Sequence, residues 1–362
     1  MVASAVSEQA LTIRSHTGQY AVSFDDDGLA ALNRDVPADT HFIIDAQVAE
    51  IYAGDMEHIM DSPSVLLIEA TEANKSLDRF PVYVRHLVDR QMRRDHILVA
   101  IGGGIIQDIT CFLAATMLRG VAWRFYPTTL LAQADSCIGS KSSINAGDAK
   151  NVLGTFTPPR DVVIGTRFLE TLDERDVRSG VGEMIKVHAI EGAGAFDRIA
   201  ADYRRLFTDR AVMGDYIRAA LDIKKRYIEE DEFDQGIRNC FNYGHSFGHA
   251  MEAATDFTIP HGIAVTIGMD MANHVAARLG VGSEDWHARM HPTLAANYVG
   301  FEDHDVPTER FFSAIAKDKK NISGALTLIL PDGNGTVFKD RYPLDDTLRL
   351  ACIEYFEGGR RF

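Results

Sequence analysis

Short apolar runs alternate with longer helix-like segments in the first half of the chain. The runs are rich in Val, Ile and Leu, are bounded mostly by Gly, Pro or Asp, and cover residues 41–45, 65–69, 97–101 and 162–164. Strands of this composition are typically buried on both faces, which predicts a parallel sheet. Segments between them, such as 108–118, are rich in Ala, Leu and Met. The pattern therefore predicts the βαβ units of an α/β domain.

The pattern changes near residue 172, where long segments with helical periodicity begin. These segments cover residues 176–190, 209–229, 242–254 and 264–279. A late apolar run over 326–330, ended by Pro-Asp-Gly, predicts a strand or a hairpin edge. We therefore expect an α/β domain over residues 1–174 and a mainly α-helical domain over residues 175–362.

Composition and charge narrow the possible partners. The 362 residues are 46% hydrophobic, so the chain can bury a large core without disulfides. Lys and Arg number 37 against 52 Asp and Glu, a net charge of −15. This balance argues against nucleic acid or an anionic membrane as a partner. An anionic substrate would need a local cluster of cations.

The cysteines and the chain start predict a cytoplasmic protein. Cys111, Cys137, Cys240 and Cys352 are far apart and form no CxxC pair, which is typical of reduced thiols. The first residues lack a cationic start followed by a long apolar run, so we expect no signal peptide. Apolar runs never reach the roughly 18 residues that a membrane span needs.

A triple-glycine turn is the first candidate for chemistry. Gly102, Gly103 and Gly104 follow a predicted strand and open a predicted helix, where backbone N–H groups can approach a pyrophosphate. The turn is not a GxGxxG motif, and a tight strand-to-helix connection explains the glycines equally well. Asp108, placed in the first helical turn, is also what the helix dipole alone favours.

Three histidines form the second candidate. His245 and His249 are four residues apart and share one helix face, and His261 lies on a turn between Pro260 and Gly262. Two histidines alone would more often be packing or solvated residues. The third histidine favours a divalent metal site, which typically also uses a carboxylate.

Charged residues in helical segments supply further candidates. Glu183 and Lys186 are one helical turn apart. This spacing fits an ordinary ion pair, and it also fits a metal-binding carboxylate beside a substrate-binding ammonium. Lys224 falls on the apolar stripe of its helix, so it has to extend to solvent or meet an anion. The segments 135–141 and 149–151 read as an anion cradle or as a plain polar loop. Glu72 and Lys75 alone resemble ordinary surface charges.

Taken together, these segments resemble the 3-dehydroquinate synthase family of sugar phosphate cyclases. The resemblance runs in order from about Asp45 to Lys320 and rests on GGGIIQD, MLRG, YPTTLLAQADSCIGSK, KNVLGTF, GVGEMIK, RNCFNYGHSFGHAME, IPHGIAV and KDKK. It implies a Rossmann-like N-terminal domain that binds NAD and a helical C-terminal domain that binds metal and substrate.

The resemblance also implies roles for individual residues. The ligands of a zinc or cobalt ion would be Glu183, His245 and His261. The residues that hold NAD would be Asp45, Glu72, Lys75, Gly103, Gly104, Asp108, Thr128, Thr129 and Lys150. The catalytic and substrate-binding residues would be Asp135, Lys141, Asn151, Lys186, Lys224, Arg238, Asn242, His249 and Lys319. Arg119 would reach the substrate phosphate of a neighbouring subunit, which implies a homodimer.

The implied reaction converts 3-deoxy-D-arabino-heptulosonate 7-phosphate to 3-dehydroquinate. NAD oxidises the C5 alcohol, phosphate is eliminated, the hydride is returned, and an intramolecular aldol step closes the ring. The metal acts as a Lewis acid. Lysine and arginine side chains hold the carboxylate and the phosphate. His249 suits proton transfer or phosphate binding.

Departures from the family pattern keep other activities open. The family usually has a small residue at position 107, glycine at 140 and an Asn-His pair at 145–146, where this chain has Gln107, Ser140 and Asn145-Ala146. The last loop resembles relatives that cyclise sedoheptulose 7-phosphate or glucose 6-phosphate. Arg238 matches the form expected for a carboxylated substrate and favours the heptulosonate. A metal- and NAD-dependent polyol-phosphate dehydrogenase and a non-catalytic binding protein are further alternatives.

Overall fold

The computed structural model describes residues 10–147, 149–317, 321 and 325–360. The predicted substrate residue Lys319 lies outside them. The strands in this part of the chain are β1 (Leu11–Ser15), β2 (Gly18–Phe24), β3 (Thr40–Asp45), β4 (Val65–Ile68), β5 (Ile97–Gly102), β6 (Ala122–Pro127), β7 (Lys141–Ala146), β8 (Ala149–Phe156), β9 (Asp161–Ile164), β10 (Ala325–Pro331) and β11 (Val337–Pro343). The helices are α1 (Gly28–Arg34), α2 (Ala46–Ile51), α3 (Glu57–Met60), α4 (Phe80–Asp89), α5 (Gly104–Thr116), α6 (Glu174–Glu191), α7 (Ala193–Asp202), α8 (Arg210–Glu230), α9 (His245–Ala254), α10 (His261–Arg278), α11 (Glu284–Asn297), α12 (Thr308–Ala316) and α13 (Asp346–Glu354).

The chain divides into two compact units. The first contains the described residues up to Leu172 together with Lys225–Phe233, and the second contains Asp173–Lys224 and the described residues from Asp234 onward. None of the helices in the described ranges is long and apolar enough to span a membrane.

A seven-stranded sheet forms the centre of the first unit. Its strand order is β1-β2-β9-β6-β5-β3-β4. Every neighbouring pair is parallel except β1 with β2. Strands β3 and β5 are buried at every position, because their Ile, Val and Leu side chains face apolar neighbours on both sides of the sheet. The predicted parallel sheet is therefore confirmed.

The strand order places a topological switch point beside β3. From β3 the chain moves to β4 on one side of the sheet and then returns to β5 on the other side. Ligands of such sheets bind at the carboxyl ends of the strands where the order reverses. Here those ends are Asp45, which closes β3, and Gly102, which closes β5.

An antiparallel hairpin of β7 and β8 contains Lys141 and residues 149–151, for which the sequence left an anion cradle or a plain polar loop open. The strands pair from Lys141 with Phe156 to Ala146 with Ala149, with an irregularity after Ile144. Most of β8 is exposed. The polar sequence therefore lacks the alternation that marks a strand with one buried face.

Helix α10 is the buried centre of the second, mainly helical unit. It is buried from Gly262 to Ala276 and carries apolar residues on all sides. A Cβ on Gly262 would lie 1.8 Å from the Ser179 carbonyl oxygen of α6. A Cβ on Gly268 would lie 2.1 Å from the Gly244 carbonyl oxygen just before α9. Glycine at these two positions therefore lets α6 and α9 pack closely against α10.

Two helices begin at different residues from those predicted. Helix α9 begins at His245 instead of 242, because Gly244 adopts a left-handed conformation with φ of 78°. Helix α10 begins at His261, so this histidine lies on the first residue of a helix and not on a turn. The late apolar run forms β10, which pairs with β11 as an antiparallel hairpin.

Candidate metal and nucleotide sites

Three helices of the second unit bring a carboxylate and two imidazoles together. Glu183 lies on α6, and His245 and His261 are the first residues of α9 and α10. Glu183 Oε1 lies 3.7 Å from His245 Nε2 and 3.5 Å from His261 Nε2. Among the described residues this buried oxygen has no hydrogen-bond partner. The ligand atoms of a tetrahedral metal ion, with metal–ligand bonds of about 2.0–2.2 Å, lie at similar distances from one another. The three residues therefore fit a divalent metal.

The other oxygen of Glu183 accepts a hydrogen bond from Lys186 Nζ. Both side chains are almost completely buried, at 1% and 2% exposure. The ammonium group also lies 5.8 Å from the ring centroid of Phe241. The pair is therefore an ion pair within one helix, and its other carboxylate oxygen faces the imidazoles. The roles of the carboxylate in binding metal and of the ammonium in binding substrate stay predictions.

Glu252 is a site residue that the sequence analysis missed. His261 Nδ1 lies 3.3 Å from Glu252 Oε1, which leaves Nε2 directed at Glu183. Burial by itself lowers the pKa of His261, but the two carboxylates outweigh it and the pKa is raised. The available signal was spacing, since positions 245, 249 and 252 share one face of α9.

His249 lies beside this cluster and is exposed. Its ring centroid is 5.2 Å from that of His245 and 5.5 Å from that of His261. The coordinating nitrogens of the three histidines lie within 4.8 Å of one another. An exposed imidazole in this position can act as a ligand or exchange protons with a bound molecule.

Three other predicted substrate residues of the second unit are polar, and two of them are buried. Lys224 is buried, as its position on the apolar stripe predicts, and Arg238 is buried too. Asn242 Nδ2 donates to the Asn239 carbonyl oxygen. An ammonium and a guanidinium group at these positions have the chemistry that binds carboxylate or phosphate.

The first unit offers a cradle for a phosphate at the start of α5. No side chain caps this helix, and its first turn has no acidic residue. A Cβ on Gly103 would lie 2.8 Å from Thr129 Cγ2, whereas above Gly104 the nearest such atom is Ser136 Oγ at 3.9 Å. Open space beside uncapped N–H groups is what a pyrophosphate needs. Asp108 was predicted in the first turn of this helix, but it lies in the second turn of α5.

Lys75 connects several of the predicted NAD residues and is not an ordinary surface charge. It is 6% exposed, and its Nζ lies 3.0 Å from Asp108 Oδ2 and 3.7 Å from Glu72 Oε1. The same atom donates to Asn151 Oδ1 at 3.0 Å. Burial raises the pKa of Asp108 although Lys75 opposes the shift. The cluster thus joins three predicted cofactor residues to one predicted substrate residue.

The other predicted NAD residues follow the carboxyl ends of β3 and β6, apart from Lys150. Asp45 Oδ1 accepts from the Gln47 N–H, and burial raises the pKa of this carboxyl group. Thr128 N donates to the Gly102 carbonyl oxygen. Thr129 Oγ1 accepts from the Ala132 N–H. Lys150 is exposed on β8.

Three predicted substrate residues lie elsewhere in the first unit. Asp135 belongs to a π-helical turn over Ala132–Ser136. Lys141 is exposed at the start of β7. Arg119 is exposed just after α5 and has a left-handed backbone with φ of 67°.

Gln107, one of the departures from the family pattern, links α5 to the turn that carries Asp135. Gln107 Nε2 donates to the Ser136 carbonyl oxygen at 2.6 Å, and Ser136 Oγ donates to Gln107 Oε1 at 2.6 Å. This side chain therefore supports the phosphate cradle and the Asp135 turn together.

Two family models match consecutive parts of the chain. The 3-dehydroquinate synthase N-terminal model matches residues 65–179, and the 3-dehydroquinate synthase C-terminal model matches residues 180–321. The chain belongs to the 3-dehydroquinate synthase family. A 3-dehydroquinate synthase of Cereibacter sphaeroides (strain KD131 / KCTC 12085) is 35% identical over 282 residues, which cover 76% of each protein. The family predicted from the sequence motifs is therefore confirmed.

Solved structures share the fold of this family member over almost its whole length. A 2-deoxy-scyllo-inosose synthase complexed with carbaglucose-6-phosphate, NAD⁺ and Co²⁺ has a TM-score of 0.81 at 23% identity, covering 97% of this chain and 100% of that one. The 2-epi-5-epi-valiolone synthase of Streptomyces hygroscopicus subsp. jinggangensis 5008, with NAD⁺ and Zn²⁺ bound, has a TM-score of 0.81 at 25% identity and 99% coverage of both chains. The predicted fold class is confirmed.

Proposed function

We propose that this chain is a 3-dehydroquinate synthase, which converts 3-deoxy-D-arabino-heptulosonate 7-phosphate to 3-dehydroquinate and phosphate. The observation that carries the proposal is the meeting of Glu183, His245 and His261 around an unpaired carboxylate oxygen. The relative at 35% identity bears the name of this activity. The proposed cofactors are NAD and a divalent ion, zinc or cobalt, which accompany the two solved relatives.

The residues present fit both cofactors. Glu183, His245 and His261 would hold the metal, which when bound polarises a substrate oxygen. The cradle above Gly104 and the carboxyl ends of β3 and β5 would hold NAD, which would supply reversible hydride transfer. Glu252 fixes the orientation of His261 for this purpose.

The side chains of the chain itself bind the substrate and move protons. Lys186, Lys224 and Arg238 are buried cations that suit the carboxylate and phosphate of a sugar acid. They act against a net charge of −15, so binding depends on this local group. His249 is exposed beside the metal ligands and is proposed to take up the proton released at a substrate hydroxyl.

Cyclisation of a sugar without a carboxylate is the second candidate. The segment at Asn145 departs from the family pattern, and Asn145 Nδ2 donates to Glu72 Oε2 at 2.8 Å. Asn145 Oδ1 accepts from the Asn151 N–H at 2.9 Å, so this departure contacts a proposed substrate residue. A buried arginine at 238 favours the carboxylated substrate instead, since guanidinium pairs with carboxylate in two hydrogen bonds.

The direct test supplies purified protein with NAD, metal and one of three sugar phosphates. We expect phosphate release and 3-dehydroquinate by NMR from the heptulosonate, with no lasting NADH absorbance. Turnover of sedoheptulose 7-phosphate or glucose 6-phosphate in place of the heptulosonate would contradict the proposed substrate. Stoichiometric NADH accumulation would instead identify a polyol-phosphate dehydrogenase.

We also propose a cytoplasmic homodimer. The cysteines at 111, 137, 240 and 352 are all free thiols, which suits a reducing compartment. Arg119 and its neighbour Leu118 are exposed at the end of α5. This position suits an arginine that serves the site of a second subunit.

A further inference from the structure

A second cluster of histidine and carboxylate side chains lies in the helical unit and shares no residue with the site described above. Asp270 belongs to α10, and His287 and His291 belong to α11. Asp270 Oδ1 lies 3.3 Å from His287 Nε2 and 3.1 Å from His291 Nδ1. All three residues are buried. Solvent therefore supplies none of the compensation that an isolated carboxylate needs.

The arrangement around Asp270 matches that of a metal-binding carboxylate. Tyr298 and Tyr355 donate their hydroxyl protons to Oδ2 at 2.8 and 2.9 Å. Oδ1 faces His287 Nε2, and His291 Nδ1 lies between the two carboxylate oxygens, 3.1 Å from Oδ1 and 2.9 Å from Oδ2. One donor atom of each of these three residues lies within 4.8 Å of the other two. Hydrogen bonds to the second carboxylate oxygen are a common support for a ligand.

His274 lies next to this group of three donors but is not part of it. It follows Asp270 by four residues on α10, is 7% exposed, and its Nε2 has no hydrogen-bond partner among the described residues. Its ring centroid lies 5.5 Å from that of His287. Leaving a buried polar atom unpaired is unfavourable. Asp270 with His274, and His287 with His291, thus form two i,i+4 pairs on neighbouring helices.

We propose that Asp270, His287 and His291 form a second, structural site for a divalent ion of the zinc class. Two imidazoles and one carboxylate suit zinc, and a reorientation of the neighbouring His274 ring would add the fourth protein ligand that is typical of structural zinc sites. The ion would join α10 to α11 and neutralise the buried carboxylate. The contrasting arrangement is a network closed by protons alone, in which neutral imidazoles and phenols donate to Asp270. This proposal is independent of the reaction proposed above.

The test counts the metal in a tag-free chain whose first cluster is disabled by the double substitution H245A/H261A. After dialysis in metal-free buffer without chelator, we expect about one zinc per chain by mass spectrometry of the metal. Adding H291Q should remove that zinc. A folded H245A/H261A chain that holds no stoichiometric zinc would overturn the proposal, whatever substrate the enzyme uses.

A second measurement avoids any substitution in the buried cluster. The H245A/H261A chain is stripped with a strong chelator and its Tm is measured with and without added Zn²⁺. Binding to the folded state raises the Tm, and we expect the rise to saturate at about one equivalent. A stripped chain that remains folded and shows no change in Tm would show that protons alone close the network.

Discussion

Glu183 and Lys75 each have contacts with residues distant in the chain that only the three-dimensional structure shows. Each was recognisable in the sequence as half of a charged pair at i,i+3 spacing. Their other partners are distant in the chain: Lys75 contacts residues 33 and 76 positions away. Local spacing cannot indicate such contacts, so Lys75 alone resembled a surface charge. The order of motifs in the family resemblance, and not the pair itself, predicted its place in the NAD site.

Glu252 provides a test of the metal site that leaves every proposed ligand unchanged. E252Q keeps the size of the side chain and removes the charge that orients His261 through Nδ1. We expect the affinity for exchangeable zinc to fall about 10- to 100-fold in a competition with a chromogenic chelator. The matched control is D256N, which changes an exposed acid that pairs with Arg310. Equal affinity in E252Q and D256N would show that Glu252 does not support the site.

His41 predicts how the stability of the protein changes with pH. Burial lowers its pKa from 6.5 to about 4, and the His96 imidazole adds to this shift. The His41 ring makes two hydrogen-bond contacts: Nδ1 lies 2.7 Å from Ser64 Oγ, and Nε2 lies 2.9 Å from His96 Nδ1. The pKa of His41 is lower in the folded state than in the unfolded state. The stabilisation by the neutral ring is therefore complete above pH 6.5 and is lost as the pH falls toward 4.

The measurement is urea unfolding at about pH 7.5 and about pH 4.5. We expect the unfolding free energy of the wild type to fall by roughly 2–3 kcal/mol more than that of H41Q. H58Q changes an exposed histidine and should follow the wild type. Parallel pH dependence in H41Q and the wild type would refute the shift.

At the scale of elements, the sequence predicted strands that are continuous buried apolar runs and helices whose apolar residues repeat with the helical period. The apolar runs became β3, β4, β5, β9 and β10, and the helical segments became α5, α6, α8, α9 and α10. The hairpin of β7 and β8 was missed because β8 is mostly exposed and so carries no hydrophobic pattern. The start of α9 was missed because it depends on the left-handed backbone at Gly244.

The start of α5 is an element that a single methyl group can test. G104A places a Cβ in space that is open in the free protein, so we expect normal folding and Tm. NAD affinity should fall about tenfold or more by calorimetry, because the methyl group occupies the phosphate cradle. G54A adds a methyl group at another open position and should bind NAD normally. Unchanged affinity in G104A would place the pyrophosphate elsewhere.

At the scale of the whole molecule, the order of motifs along the chain gave more information than composition did. The net charge of −15 argued against nucleic acid or an anionic membrane as a partner but pointed to no reaction. The family matches cover residues 65–321, which agrees with the extent of the sequence resemblance. Subunit association could be predicted only through the resemblance, since Arg119 is simply an exposed arginine when a single chain is considered.

The proposed dimer predicts complementation between two inactive variants. R119A lacks the residue offered to the neighbouring subunit, and K224A lacks a residue of its own site. If sites are shared, each mixed dimer has one complete site, so refolding equal amounts together should restore about a quarter of wild-type activity. K224A mixed with K186A is the control and should recover nothing. Absence of recovery in the first mixture, with dimers present by light scattering, would exclude a shared site.

The close backbone approach at Gly262 and Gly268 restricts the positions of the helices more than the identities of the side chains proposed to face the substrate. Main-chain atoms set the spacing of α6, α9 and α10, so the ion-binding corner cannot drift without rebuilding the helices. The cations proposed to recognise the substrate act through long side chains instead of main-chain atoms. Selection or laboratory redesign can therefore exchange the sugar accepted by the enzyme while the reactive centre stays fixed.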